Sequence, residues 1–431
     1  MANKKTFDQL EETIYSEKLD NGLTVFVLPK PGFHKTFAVF STNYGSIDNH
    51  FVPLGKQEAV KVPDGIAHFL EHKMFEDEEG DVFQTFGEQG ASANAFTSFT
   101  KTAYLFSSTQ ETYKNLETLL DFVQHPYFTD ESVEKEKGII EQEITMYEDN
   151  ADWQLFFNLL GNLYHNHPVQ IDIAGSASSI YDITKEDLYE CYHTFYHPSN
   201  MVLFIAGDVD SEKVFNLVEN NQSQKSFKEP EKIERLLDDE PNEVKQKKSV
   251  QEMSVNTPKC MVGYKVDAST KTGSDLLQYE FSMQLLLDVL FGPGSEAYES
   301  FYEEGLIDDS FSTEFTAERS FSFLAVGGDT TDPDQLEKRI IDTIEKAVED
   351  GISKEQLDRV RKKKIGNFFK QLNSLEFVAN QYTSFAFHDI HLFEAIPVLE
   401  NITAEEVNEL LKTHFQQDTR AVSQITKKQA G

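Results

Sequence analysis

The 431-residue chain is short of cysteine, of positive charge and of long apolar runs, and each shortage removes a class of protein. Two cysteines, Cys191 and Cys260, are too few and too far apart for a disulfide framework or a CxxC zinc site. Buried thiols in a reducing compartment are the expectation for both. Lys and Arg number 39 against 74 Asp and Glu, a formal charge of −35. A surface that negative repels phosphate backbones and anionic lipid, so neither nucleic acid nor a membrane is an expected partner. No apolar run approaches the ~18 residues of a membrane span. Residues 1–8 run into acidic positions with no apolar core of a secretory signal. The expected location is cytoplasmic.

What is present is ample core material. Hydrophobic residues make up 39% of the chain and Phe alone numbers 35, which excludes a disordered chain. The length implies at least two packed units. Leu23–Leu28, Phe37–Thr42, Ala93–Ser98, Thr102–Ser107 and Met201–Ala206 read as strands, the last a fully buried one. Helical patterns run near 110–124, 130–149 and 152–163, and another begins after Pro63 with Asp64 as the expected N-cap. A charged stretch then follows, and residues 249–431 repeat the opening order of elements. The expected organisation is an α+β domain at 1–221, a charged linker at 222–248 and a second α+β domain at 249–431. The expected fold is two similar α/β-sandwich halves, each an antiparallel-rich sheet covered by helices, arising by internal duplication.

The chemistry concentrates in Ala67-His-Phe-Leu-Glu-His-Lys73. On a helix His68, Glu71 and His72 sit at i, i+3 and i+4 and share a face. Two imidazoles one turn apart can chelate one zinc ion, with the glutamate between them placed to take a proton from water. The order is the inverted zincin motif, H-x-x-E-H. Such a site needs a third protein ligand and an open position. The helix at 132–147 offers Glu143, flanked by Ile139, Ile140, Met146 and Tyr147 and therefore expected inside an apolar stripe, where an unpaired carboxylate is costly. Glu136 lies two turns back on the same face, whereas Glu141 and Glu148 point elsewhere.

With these residues in place the chain resembles the pitrilysin/insulinase family of zinc metallopeptidases, which includes mitochondrial processing peptidases and bacterial processing-protease subunits. Gly90-Ala-Ser-Ala-Asn-Ala-Phe-Thr-Ser98 is similar to the family's N-A-x-T strand, whose exposed edge takes the substrate backbone as an added strand. Tyr196-His-Pro-Ser-Asn200 is similar to the segment that ends the family's first half. The resemblance implies a zinc endopeptidase with His68, His72 and Glu143 as ligands to one Zn²⁺ and Glu71 as general base. It further implies that Glu136 orients a histidine and that Asn94 and Ala95 clamp the substrate backbone. It also implies two halves arranged as a bowl.

One departure stands out. Where self-sufficient members carry an Arg and a Tyr seven residues on, Ser300–Ser310 keeps Glu-Gly-Leu but places Tyr302 and Asp308/Asp309. These cannot steady an oxyanion in the same way. The chain is therefore expected to hydrolyse peptides or short unfolded segments beside a related subunit that supplies the pair, as a heterodimer, or otherwise as a homodimer. The competing reading is a catalytically silent scaffold of the same fold. Intact His68, Glu71, His72 and Glu143 argue for activity. The pair His165 and His167, in a His-Asn-His-Pro setting, reads as structural.

Overall fold

A computed structural model describes residues 2–78 and 80–428. The chain forms two compact units, each built on one main sheet. The first takes in the chain to Ile144, Asp172–Leu237 and Gln371–Phe393; the second takes in Thr145–Ile171, Asp238–Lys370 and the chain from Glu394.

In the first unit the strands of the main sheet are β1 (Asn3–Phe7), β2 (Glu12–Lys18), β3 (Thr24–Pro29), β4 (Thr36–Thr42), β5 (Ala91–Thr97), β6 (Thr102–Ser108) and β7 (Met201–Gly207). They lie in the order β1-β2-β3-β7-β4-β6-β5. Only β3 and β7 are parallel. Every residue of β4 and β7 is buried, which is why both read as unbroken apolar runs rather than as alternating strands. Strand β5 ends the sheet, with only β6 beside it.

The second unit holds β8 (Lys248–Met253), β9 (Lys259–Lys265), β10 (Ser312–Ala317), β11 (Ser322–Asp329) and β12 (Arg420–Lys427), in the order β8-β12-β9-β11-β10. Its parallel pair is β8 and β12. Taken in chain order, β3, β4, β5, β6 and β7 lie first-fifth-second-fourth-third, and β8 to β12 lie the same way. The parallel pair falls at the same place in both sheets. Two sheets that share this five-strand topology, each covered by helices, match the expected duplicated α/β-sandwich halves.

Four helices matter below: α1 (Ile66–Lys73), α2 (Asp130–Glu148), α3 (Ala151–Leu163) and α4 (Leu375–Ala386). The two compact units do not follow the chain in order. Helix α3 packs on β9 and β12, where Asn162 Nδ2 donates to the Val422 carbonyl (2.9 Å) and Ser249 Oγ (2.7 Å). Gly263 makes room for it, since a Cβ there would sit 2.8 Å from a Leu159 methyl. Helix α4 covers β4 and β7, laying the Tyr382 ring 4.9 Å from Phe26 and 5.0 Å from Phe204. Within the charged stretch 222–248, Arg235 donates to Asp48 (2.8 Å) and Glu240 accepts three backbone N–H groups.

Candidate metal centre

Helix α1 starts at Gly65, not at Asp64. Gly65 has φ 88°, and a Cβ there would lie 2.4 Å from the Ala174 carbonyl oxygen, so only glycine fits. Asp64 instead accepts from Asn49 Nδ2 at 2.7 Å, and its carbonyl takes the Ser179 hydroxyl at 2.8 Å. The start of the helix is thereby pinned to the loop at 172–176. Of its eight residues all but His72 are buried, and Lys73 is wholly enclosed and paired with Glu76. A helix packed this tightly holds its two imidazoles in place, with centroids 4.6 Å apart.

Helix α2 brings the carboxylates. Its buried residues are Val133, Glu136, Lys137, Ile140 and Ile144, whereas Ile139 is 45% and Met146 59% exposed. The apolar stripe expected around Glu143 is therefore displaced. At 100° per residue the buried arc centres about 80° to one side of Glu143, and Ile139 and Met146 lie on the opposite flank. Glu136, 6% exposed, is the acid inside the arc. Glu143 stands at its border with its side chain 22% exposed, open enough to meet both histidines.

The structure brings His68, His72 and Glu143 together, with one ligand atom from each within 4.8 Å of the others. His68 Nε2 lies 3.7 Å from Glu143 Oε1 and His72 Nε2 lies 3.5 Å from Glu143 Oε2. Tetrahedral zinc bonds of about 2.0–2.2 Å place donors about 3.4 Å apart, so the donor set and its spacing fit zinc. On the other side of its ring His72 Nδ1 meets Glu136 Oε1 at 3.0 Å, leaving Nε2 as the free lone pair. His68 Nδ1 is buried without a hydrogen-bond partner among the described residues.

Among the protein's own groups the electrostatics sort the four residues. Burial, with the His72 ring beside it, brings His68 down to about 4, so it is neutral at pH 7. Burial would lower His72 too, but the Glu136 bond and the Glu71 and Glu143 charges hold it above the usual value. Burial would raise Glu136, yet His72 and Lys73 keep it below the usual range. Glu71, 8% exposed, is pushed by burial up to about 7, the value of a group that can both take and give a proton near neutrality. Glu71 Oε2 accepts from Thr97 Oγ1 at 2.6 Å.

Thr97 is not among the residues the sequence singles out, although the strand's alternation places it on one face with Ala93 and Ala95. Also absent are Tyr104 and Tyr196, whose buried phenols bond at 2.7 Å and feel the Glu71 charge. Nothing in a strand or loop pattern marks a tyrosine as lying near a carboxylate.

Strand β5 offers an edge. Ser98 N–H donates to the Lys101 carbonyl, so by alternation Phe96 and Asn94 bond to β6, while Thr97, Ala95 and Ala93 turn N–H and C=O outward. Ala95 N–H is meanwhile capped by the Asn94 side chain at 2.9 Å. A cavity of about 550 Å³ opens beside His72, lined in part by Phe75, Phe83, Asp77 and Lys135, and the two Phe rings stack at 4.1 Å. His165 and His167 are not part of the metal cluster found among the described residues; His167 Nδ1 accepts the Val169 N–H and Nε2 meets Ser320 Oγ at 3.1 Å. Cys191 and Cys260 are both buried thiols. No helix among the described residues is long and apolar enough to cross a membrane.

Comparison with known proteins bears on the same residues. Residues 51–177 match the model of Insulinase (Peptidase family M16), and residues 182–364 match that of the Peptidase M16 inactive domain. A Bacillus subtilis chain named as an uncharacterized zinc protease, YmfH, is 56% identical over 98% of both chains. The crystal structure of an M16-like peptidase from Alicyclobacillus acidocaldarius is 42% identical, with a TM-score of 0.93 over 99% of each chain. A probable β subunit of the mitochondrial-processing peptidase of Arabidopsis thaliana is 29% identical over 41% of this chain and 34% of its own.

Proposed function

The chain belongs to the pitrilysin/insulinase (M16) family of peptidases, and from that premise we propose that it is a zinc-dependent endopeptidase subunit acting on peptides or short unfolded segments. The observation that carries the reading is the separation of partners along one helix. His68 and His72 converge with Glu143, while Glu71, between them in sequence, is held elsewhere by Thr97.

His68, His72 and Glu143 would hold the ion, with Glu136 fixing the tautomer and direction of His72. Zinc held there supplies Lewis acidity and lowers the pKa of water toward ~7. The peptide joins the edge of β5 as an added strand, pairing with the outward N–H and C=O of Ala93, Ala95 and Thr97 once Asn94 turns from the Ala95 N–H. The cavity with the Phe75–Phe83 floor gives room for a side chain of that strand. Glu71 takes a proton from the attacking water as oxygen bonds to the peptide carbon. It passes that proton to the nitrogen as the C–N bond breaks, leaving a free carboxylate and amine.

The Ser300–Ser310 segment carries no Arg/Tyr pair. Tyr302 is 51% exposed and stacked with Tyr298, and the Asp308 carboxylate accepts from Ser310. A related subunit that brings the pair completes the proposal; losing one preorganised oxyanion donor costs ~10²–10³ in rate. The same departure, with the inactive-domain match of residues 182–364, is what favours the second reading, a silent scaffold subunit.

Metal analysis with a quenched-peptide cleavage assay, alone and with a related M16 chain added, separates the readings. The expected result is about one zinc per chain and hydrolysis that Glu71→Gln abolishes while keeping the metal. Zinc binding with no cleavage under either condition would establish the scaffold.

A further inference from the structure

We propose that Thr97 is the positioning residue of the base: its hydroxyl fixes the Glu71 carboxylate, and because it sits on the strand that receives substrate, it ties the aim of the base to strand addition. The inference rests on the role proposed for Glu71.

The hydrogen-bond accounting assigns the proton. Thr97 Oγ1 lies 2.6 Å from Glu71 Oε2 and 3.4 Å from Thr102 Oγ1. Thr102 spends its own hydroxyl proton on the Tyr44 carbonyl at 2.9 Å, so toward Thr97 it can only accept. A threonine has one proton to donate, and the short contact to a carboxylate takes it. The bond is to a group 8% exposed, where losing a donor is felt most. Threonine is also β-branched, so its χ1 is stiff and the hydroxyl direction follows the strand.

The backbone supplies the link to substrate. Thr97 is the last residue of β5, paired with Thr102 in a position that does not exchange ladder bonds. Its N–H and C=O therefore face the open edge while its side chain faces α1. A peptide strand added along Ala93, Ala95 and Thr97 would seat the same residue that holds Glu71.

The test compares Thr97→Val, nearly isosteric but without the hydroxyl, with Thr97→Ser, which restores it. Zinc content, kcat and KM are measured for each, with the melting temperature. Thr97→Val should keep its zinc and its KM to within about twofold and lose about 10–100-fold in kcat, and Thr97→Ser should return to within about threefold of the parent. In a Glu71→Ala background Thr97→Val should no longer lower the melting temperature, a coupling that needs no turnover. Loss of zinc with activity, a rise in KM at constant kcat, a serine as poor as valine, or additive melting shifts would each overturn the proposal. Should Thr97→Val fail to fold, Thr97→Ala takes its place with the same expectations. Hydrolysis surviving in Glu71→Gln would sink the assignment of the base itself. Hydrolysis lost in Glu71→Gln but untouched in Thr97→Val would sink only the positioning role.

Discussion

Glu136 Oε1 lies 3.0 Å from His72 Nδ1, on the side of the ring away from Glu143. The two carboxylates of α2, seven residues apart, thus approach one imidazole from opposite sides. One fixes the tautomer and the other shares the open face with His68. On the proposed ligand set Glu136 acts through His72, so Glu136→Ala should lower zinc affinity by about 10–100-fold without abolishing binding. Competition with a calibrated zinc chelator measures it, and an unchanged constant would remove Glu136 from the support of the site.

Glu143 and Glu141 are two residues apart on α2 and should behave oppositely. Glu143 meets both imidazoles, whereas Glu141 accepts the Tyr181 hydroxyl at 2.8 Å. Glu143→Ala should cost orders of magnitude in zinc affinity, and Glu141→Ala should match the parent. Equal metal content in the two purified variants would take Glu143 out of the ligand set.

The legibility of this site in the sequence was uneven for physical reasons. His68, Glu71 and His72 were readable because a helix converts i, i+3 and i+4 into one face whatever surrounds it. Strands β4 and β7 were readable because burial on both faces writes itself as an apolar run. Glu143 was reached through a partly mistaken stripe. Ile139 and Met146 are apolar but exposed, and hydrophobicity alone does not locate the centre of a buried arc. Gly65 displaced Asp64 as the helix start because a close approach to Ala174 leaves no local trace. The exchange of α3 and α4 was illegible for a similar reason, since an amphipathic helix records that it covers a sheet but not which one. Thr97 lies inside the N-A-x-T strand, but its pattern does not mark it, because its partner lies on a helix 26 residues earlier.

Acid stability should pass through Glu240. Burial would raise its pKa, but the N–H groups of His165, Asn166 and His167 and the Lys265 ammonium outweigh that and hold it below 4.5. A depressed folded value means the contribution is full above the unfolded pKa near 4.5 and is lost as pH falls through the folded one. Glu240→Gln keeps one acceptor but not the charge, so at pH 7 it should be less stable by about 2 kcal/mol. Its deficit should shrink below about pH 4 as the parent's carboxylate protonates. Chemical denaturation at pH 7 and pH 3.5 reads both values; a gap that widens in acid would contradict the assignment.

Gly65→Ala should damage the metal site from outside it. The residue has φ 88°, a conformation costing a non-glycine residue about 1–2 kcal/mol. Here the added Cβ would also meet the Ala174 carbonyl oxygen at 2.4 Å and its carbon at 2.8 Å. Both are backbone atoms of the loop that carries Gly175, itself at φ 77° with a Cβ position 2.5 Å from the Asp64 carbonyl. Neither segment can yield alone, so the clash should displace the first turn of α1, where His68 begins the ligand set, more than the last, where His72 is tied to Glu136. The expected outcome is a loss of about 2–4 kcal/mol in stability with weaker zinc binding. Added zinc should recover part of the stability, because the ion binds only the folded chain. Gly138→Ala, half-buried on α2 but with nothing within 4 Å of a Cβ, is the control and should be neutral or slightly stabilising. If Gly65→Ala melted like that control, the close approach of the two loops would not be what starts the helix.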